Sequence, residues 1–328
     1  MSYSFLMAVK INEKWVDQLG VQEAYRTSRG TAFQSSVDDF LDSARAKRMR
    51  GKVNLIFTSP PFPLSSPKQY GNLNGSSYVE WLSEIIARLS EMLSPDGSLV
   101  LEIGNAWDKK QPTMSTVPLE TLIEIKKRTG LNVCQQFVCT NPNRLPSPIN
   151  YVNVERSRVK DAFTHIWWYS PSVRPYADQR NILVPYSPAM LRLLERQSYN
   201  AGRRPSDHTI GAKSFLKDNG GAIPPNDLSY LIEQDMEFDS RLEFTGSPVD
   251  KGYRDWCLDH NLKQHPAKMS QFLVEFFVKF LTRKGDLVLD PFGGSNTTGA
   301  VAEKLQRRWV SIERDYSYLL GSVGRFTK

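Results

Sequence analysis

Two short stretches hold residue types able to bind and transform a small molecule. Leu287–Gly299 reads LVLDPFGGSNTTG: an apolar run ending in Asp290, a tight turn with Gly293 and Gly294, and a Ser/Asn/Thr cluster suited to cap a helix. In open α/β sheets, ligands bind at the carboxyl ends of strands, where small residues admit close backbone approach and a helix N-terminus offers free N–H groups. The spacing matches neither the GxGxxG of a dinucleotide site nor the GK[ST] ending of a phosphate loop, which places NAD and ATP behind other ligands. About twenty residues on, the run WVSI ends in Glu313, the position where an acid in such folds bonds ribose hydroxyls. Taken singly, Asp290 is as readily a turn cap and Glu313 an exposed strand-end acid. In register, strand, Asp, Gly-Gly, helix, strand and Glu predict an adenosine-type cofactor without a 2′-phosphate.

The second stretch is Ser59-Pro60-Pro61-Phe62, which halts the apolar run Val53–Phe57. An isolated SPPF is more often a strand-ending turn with a core Phe, so its meaning depends on what surrounds it.

The surroundings are those of an α/β protein. Val53–Phe57 reads as a buried parallel strand, Tyr78–Leu93 as an amphipathic helix, SPDG at 94–97 as a turn and SLVLEIG from Ser98 as the next strand. Helix Pro118–Arg128 leads to strand Asn132–Cys139; after the Pro- and Asn-rich loop Thr140–Tyr151 comes strand Phe163–Tyr169. From Ser170 to about Leu262 the texture turns irregular, and regular elements return with helix Lys268–Thr282, strand Asp286–Leu289, helix Thr298–Leu305 and strand Trp309–Ile312. This alternation predicts a doubly wound, mostly parallel sheet interrupted by a smaller module. The implied division is an extension over 1–28, a first half over 29–170, a module over 171–262 and a second half over 263–328.

Composition narrows the class. The 328 residues carry a net charge of +7, and Asn141–Lys217 holds 12 Lys/Arg against 5 Asp/Glu while Asp218–Leu262 holds 3 against 10. A basic segment of this kind suits a polyanion better than a merely solvated face. The three cysteines form no CxxC pair and no Cys/His cluster of zinc spacing, so neither a disulfide framework nor a metal site is expected. No apolar run is long enough for a membrane span, and MSYSFLMAVKINEKW is not a secretory signal, which makes the cytoplasm the expected compartment.

SPPF and DPFGGSNTTG together resemble the amino-methylating DNA methyltransferases, whose [DNS]PP[YFW] tetrad and DPFxGSGTT-like turn they match. The tetrad precedes the cofactor turn, as in the circularly permuted beta class, and a leading Ser is the form associated with the N4 amine of cytosine. The resemblance implies S-adenosylmethionine as cofactor, double-stranded DNA as substrate, a module at 171–262 that recognises the target, and a cognate restriction endonuclease encoded nearby. Adenine N6 is the alternative acceptor. On this resemblance Ser59, Pro60, Pro61 and Phe62 are the catalytic set. A conjugated exocyclic amine is a poor nucleophile, and acceptors at its N–H groups favour the pyramidal form as charge develops. The Ser59 hydroxyl and Pro60 carbonyl are assigned that task, Pro61 stiffens a turn lacking N–H donors, and Phe62 stacks on the extruded base. Asp290, Pro291, Phe292, Gly293, Gly294, Ser295, Thr297 and Glu313 would hold the cofactor, with Lys268 of the His265-Pro266-Ala267-Lys268 stretch meeting its carboxylate. Arg144, Arg203, Arg204 and Lys213 are the candidate DNA contacts. One departure stands out: the family places a Gly-Asp pair before its first helix, whereas FQSSVDDFL offers Ser35 or Ser36 there, with Asp38 and Asp39 close by.

Overall fold

The structure, a computed structural model, describes residues 9–63, 73–141, 144–211, 214–231 and 248–327. Lys213, one of the expected DNA contacts, lies outside the described residues. The described strands build one nine-stranded sheet from β1 (Lys10–Ile11), β2 (Gln22–Arg26), β3 (Gly30–Gln34), β4 (Val53–Thr58), β5 (Leu93–Gly104), β6 (Asn132–Thr140), β7 (Phe163–Ser170), β8 (Leu287–Asp290) and β9 (Arg308–Glu313), in the order β1-β2-β3-β9-β8-β4-β5-β7-β6. The central five, β3, β9, β8, β4 and β5, are mutually parallel, and the outer strands are antiparallel. Their carboxyl ends therefore share one edge: Gln34, Glu313, Asp290, Thr58 and Gly104.

β8 continues through helix Thr297–Lys304 to β9 on one side, and β4 through helix Gly75–Ser90 to β5 on the other. The chain direction diverges between β8 and β4, and a ligand crevice opens at such a point. The two motifs end these two neighbouring strands, which pair Val288 with Leu55 and Leu289 with Ile56.

β4 is apolar throughout because both faces are covered. Helix Gln271–Leu281 starts on Ser270, whose side chain accepts the Leu273 N–H, and buries Leu273, Val274, Phe276, Phe277, Val278 and Leu281. The Phe277 ring stacks on Phe57 at 5.3 Å and meets Phe137 edge-on at 5.2 Å. Each such side chain contributes about 1.5–3 kcal/mol by burial, and Phe57 stands two residues before the tetrad. Gly75–Ser90 buries Tyr78, Leu82, Ile85, Ile86 and Leu89 as helical spacing predicts. SPDG lies inside β5, yet the register there jumps from Val53 opposite Leu93 to Leu55 opposite Ser98, so the four residues bulge out of the ladder.

The chain forms two compact units, one of 1–177 with 226–328 and one of Asp178–Pro225. The second is narrower than the expected module of 171–262. Helix Pro248–Asp259 belongs to the larger unit because its aromatic side chains pack against the C-terminal turn: Trp256 Nε1 donates to the Leu320 carbonyl at 3.1 Å, and a side chain at Gly324 would run into the Trp256 Cβ. The smaller unit contains helix Pro188–Arg196, capped by Ser187, and a short hairpin pairing Gly202–Arg203 with Thr209–Ile210. Among the described residues no helix is long and apolar enough to cross a membrane, and no His/Cys/Asp/Glu group could hold a metal ion.

Candidate active site

At the tip of β8 the Asp290 carboxylate is almost fully buried and accepts three bonds: Thr58 Oγ1 at 2.9 Å, Thr298 Oγ1 at 2.6 Å and the Phe292 N–H at 3.1 Å. Burial pushes its pKa up, and these three donors pull against that shift. Asp290 thus joins β4, the turn and the following helix. The turn itself requires glycine. Gly294 sits at φ 51°, and an added Cβ would come 3.1 Å from His265 Nε2; a Cβ on Gly293 would fall 2.0 Å from Ser311 Oγ. Asn296, also left-handed at φ 54°, caps the helix by accepting the Gly299 N–H at 3.0 Å. Ser295 and Thr297 are buried, their hydroxyls 3.5 Å apart.

Glu313, at the end of β9, accepts the Gly294 N–H at 2.8 Å through Oε2 and the Asp315 N–H at 2.8 Å through Oε1. Desolvation lifts its pKa to about 7 against these two bonds. Each oxygen keeps a lone pair for a diol. With two side-chain-free positions beside it, the edge fits the ribose and backbone-approaching part of an adenosine cofactor.

Lys268 Nζ lies 5.7 Å over the Tyr253 ring, and the Tyr253 hydroxyl accepts the His265 N–H at 2.7 Å. Arg325, which the sequence did not single out, is buried under the turn, donating to the Ser295 carbonyl at 2.5 Å and to Ser295 Oγ at 3.0 Å, 4.8 Å from the same Tyr253 ring. Neither acid near the departed Gly-Asp pair points into this edge. Asp39 accepts from the Ser36 hydroxyl in a capping pair, and Asp38 pairs with Arg88 at 3.1 Å, while the buried Ser35 gives its hydroxyl to the Ser36 carbonyl at 2.8 Å.

On the β4 side Ser59 and Phe62 are half-buried and Pro60 is buried. The Phe62 ring lies against the end of β5, since a Cβ on Gly104 would fall 2.5 Å from Phe62 Cδ2. Next to it on β5 stands Glu102, unnoticed in the sequence as one acid inside SLVLEIG. Burial raises its pKa, while hydrogen bonds from Thr164 and Ser59 and the charge of Arg144 lower it; the Thr164 bond is 2.9 Å. Arg144 donates to the Phe163 carbonyl at 3.2 Å, so it stands at the active edge. The other two described cations are in the smaller unit: Arg203 pairs with Asp207 at 2.7 Å, and Arg204 donates to the Asn200 carbonyl at 2.6 Å with its guanidinium 5.7 Å from the Tyr199 ring.

Comparison with known proteins fits this geometry. The profile of the N6_N4_Mtase family, described as DNA methylase, matches residues 53–322. The chain belongs to that family. The match begins at β4 and ends past the Glu313 strand, so both halves of the site fall inside it. Among curated relatives, the type II methyltransferase M.PvuII of Proteus hauseri is 39% identical over 309 residues, 94% of this chain and 86% of that protein. The solved structure of the PvuII DNA methyltransferase (cytosine-N4-specific) superposes with a TM-score of 0.69 at 31% identity, covering 94% of this chain and 88% of that one. M1.HpyAVI, at 16% identity and a TM-score of 0.50 over 91% of this chain and 99% of that one, shares the fold.

Proposed function

We propose that the protein is a site-specific DNA methyltransferase that moves a methyl group from S-adenosylmethionine to the exocyclic N4 amine of a cytosine swung out of the duplex. The observation carrying this reading is the 2.9 Å bond from Thr58, the residue before the tetrad, to Asp290 of the cofactor turn, which sets the two motifs side by side at one sheet edge. The 31% identity to the solved PvuII DNA methyltransferase (cytosine-N4-specific) supports the choice of cytosine, and the chain order, tetrad before cofactor turn, is the permuted arrangement of the beta class.

The bound cofactor supplies an electrophilic methyl on a sulfonium. Glu313 takes the ribose hydroxyls, Gly293 and Gly294 admit the ligand to the backbone, and Lys268 meets the carboxylate. Asp290, Pro291 and Phe292 fix the turn, and Ser295 and Thr297 line it. Ser59 Oγ donates its proton to the Glu102 carboxylate, which leaves Oγ lone pairs for one amine N–H, and the Pro60 carbonyl takes the other. As positive charge develops on the amine nitrogen, its proton would pass to Ser59 Oγ and the serine proton to Glu102. Phe62, held by Gly104 and the Pro60-Pro61 turn, stacks on the base. The region 171–262, centred on unit Asp178–Pro225, reads the target, with Arg203, Arg204 and Lys213 as contacts alongside Arg144. The enzyme protects DNA from a separately acting restriction endonuclease, in the cytoplasm.

Incubating the protein with S-adenosylmethionine and unmethylated DNA, followed by digestion to nucleosides and mass spectrometry, tests the reading. N4-methylcytosine is expected. N6-methyladenine would refute the acceptor assignment, and no methylated nucleoside would refute the activity.

A further inference from the structure

Of the segment between β6 and β7, only Arg144 has been given a part in the site described so far. It leaves the sheet at Thr140, which pairs with Phe163 at the active edge, and closes on itself through the Asn141 N–H to the Ala162 carbonyl at 2.8 Å and the Asp161 N–H to the Ser147 carbonyl at 3.1 Å. Its base is thus fixed beside Thr164, the donor to Glu102. Four of its apolar side chains are nevertheless turned to solvent: Leu145 is 80% exposed, Ile149 65%, Val154 70% and Val159 86%. A single exposed leucine is ordinary. Four in one anchored loop, whose sequence also carries Arg144, Arg156, Arg158 and Lys160 against Glu155 and Asp161, combine exposed apolar groups with a net positive charge.

Leu145 has the most telling position. Arg144 turns back through its N–H to the Asn141 carbonyl at 3.1 Å, donates to the Phe163 carbonyl at 3.2 Å and exerts its charge on Glu102. The next residue therefore presents an exposed isobutyl group one position along the chain from the cation that acts on Glu102. An extruded base leaves a gap in the stack, and side chains that enter such gaps are apolar wedges carried among phosphate-binding cations. We infer that Leu145 is the wedge that fills the space left by the flipped nucleotide, the surrounding cations taking the flanking phosphates. This rests on the DNA methyltransferase reading above and adds to it the residue that holds the duplex open. Leu145 touches neither the cofactor turn nor the tetrad and acts by positioning the substrate.

The test compares two duplexes of the sequence that the wild-type protein is found to methylate, one fully paired and one with an abasic site opposite the target base, where unpairing is already done. Leu145→Ala should methylate the paired duplex about ten-fold or more slowly than wild type and the abasic duplex within about two-fold of it. Leu145→Ile, which keeps the bulk, should restore most of the rate on paired DNA. Val159→Ala, elsewhere in the same loop, should leave both rates unchanged. Because Leu145 is exposed, its truncation should not shift the melting temperature. Equal slowing of Leu145→Ala on both duplexes, or wild-type rates on both, overturns the wedge while the activity stands. A wild-type protein that methylates no duplex sequence overturns the methyltransferase reading and the wedge with it.

Discussion

The carboxyl edge of the sheet and the unit Asp178–Pro225 spend their polar groups in opposite ways. At the edge, Asp290 is buried and Glu313 and Glu102 are half-buried, and the carboxylates already have donors: Asp290 from Thr58, Thr298 and Phe292, Glu313 from Gly294 and Asp315, Glu102 from Thr164. In the smaller unit the charges face water; Arg203 and Asp207 form an i,i+4 pair whose side chains are 74% and 80% exposed. Pre-placed dipoles in a dry site are what a charge-developing reaction uses, because nothing must reorganise as the charge appears. Exposed cations on flexible stems suit a polyanion whose counterions are released on contact. The one region should therefore respond to substitution in rate and stability, the other in salt-dependent affinity.

The largest effect is expected at the edge. Ser59→Ala should lower kcat by about 10²–10⁴-fold while DNA binding changes little, since the lost interaction grows only in the transition state. A parallel loss of DNA affinity, measured by fluorescence anisotropy, would contradict that role. Asp290→Ala leaves the Thr58 and Thr298 hydroxyls and the Phe292 N–H without their acceptor. It should destabilise the fold by about 2–4 kcal/mol and weaken cofactor binding; unchanged cofactor affinity by calorimetry would sink the assignment.

Glu313 sharpens the comparison through pH. Its folded pKa of about 7 lies above the ordinary carboxylate value, so the fold favours the protonated form, and the group's contribution to apo stability is lost as pH rises through 7. Ribose hydroxyls favour the ionised acceptor. Cofactor affinity should then rise with pH up to about 7, with proton release on binding at pH 6, visible by calorimetry in buffers of different ionisation enthalpy. Glu313→Gln should abolish both trends. The smallest effect is expected in the other region: Arg204→Ala should leave stability within about 0.5 kcal/mol and reduce the slope of log affinity against log salt by about 1. An unchanged slope would remove Arg204 from the DNA contacts.

The legible parts of the molecule were those written in contiguous residues. Strand, Asp290, Gly293-Gly294 and a capped helix follow one another in the chain, and the fold keeps that local order. The helix Gln271–Leu281 and the strand Phe163–Ser170 were legible because their apolar spacing is strong. Glu102 was not, because what gives it meaning comes from elsewhere: Ser59 from the neighbouring strand, Thr164 from an antiparallel partner and Arg144 from a loop. A lone acid in an apolar strand gives no sign of which strands flank it. Arg325 was hidden for the same reason, its partner Ser295 lying 30 residues earlier in the chain. The sequence marks the ends of the smaller unit poorly, because irregular texture runs through loops of either unit alike. The packing of Trp256 and Tyr253 against the C-terminal turn and the His265 region joins their helix to the larger unit.

The account turns on Glu102 as the final holder of the amine proton. Its pKa is raised by burial and only the ionised form can accept, so single-turnover methylation should climb as pH rises through the raised value and level off above it. The most direct measurement is that pH–rate profile for wild type and Glu102→Gln at saturating cofactor and DNA. The account predicts a rising limb in wild type and, in Glu102→Gln, a rate lower by about 10²-fold or more with the limb gone. A variant that keeps the wild-type rate and the wild-type limb would contradict it.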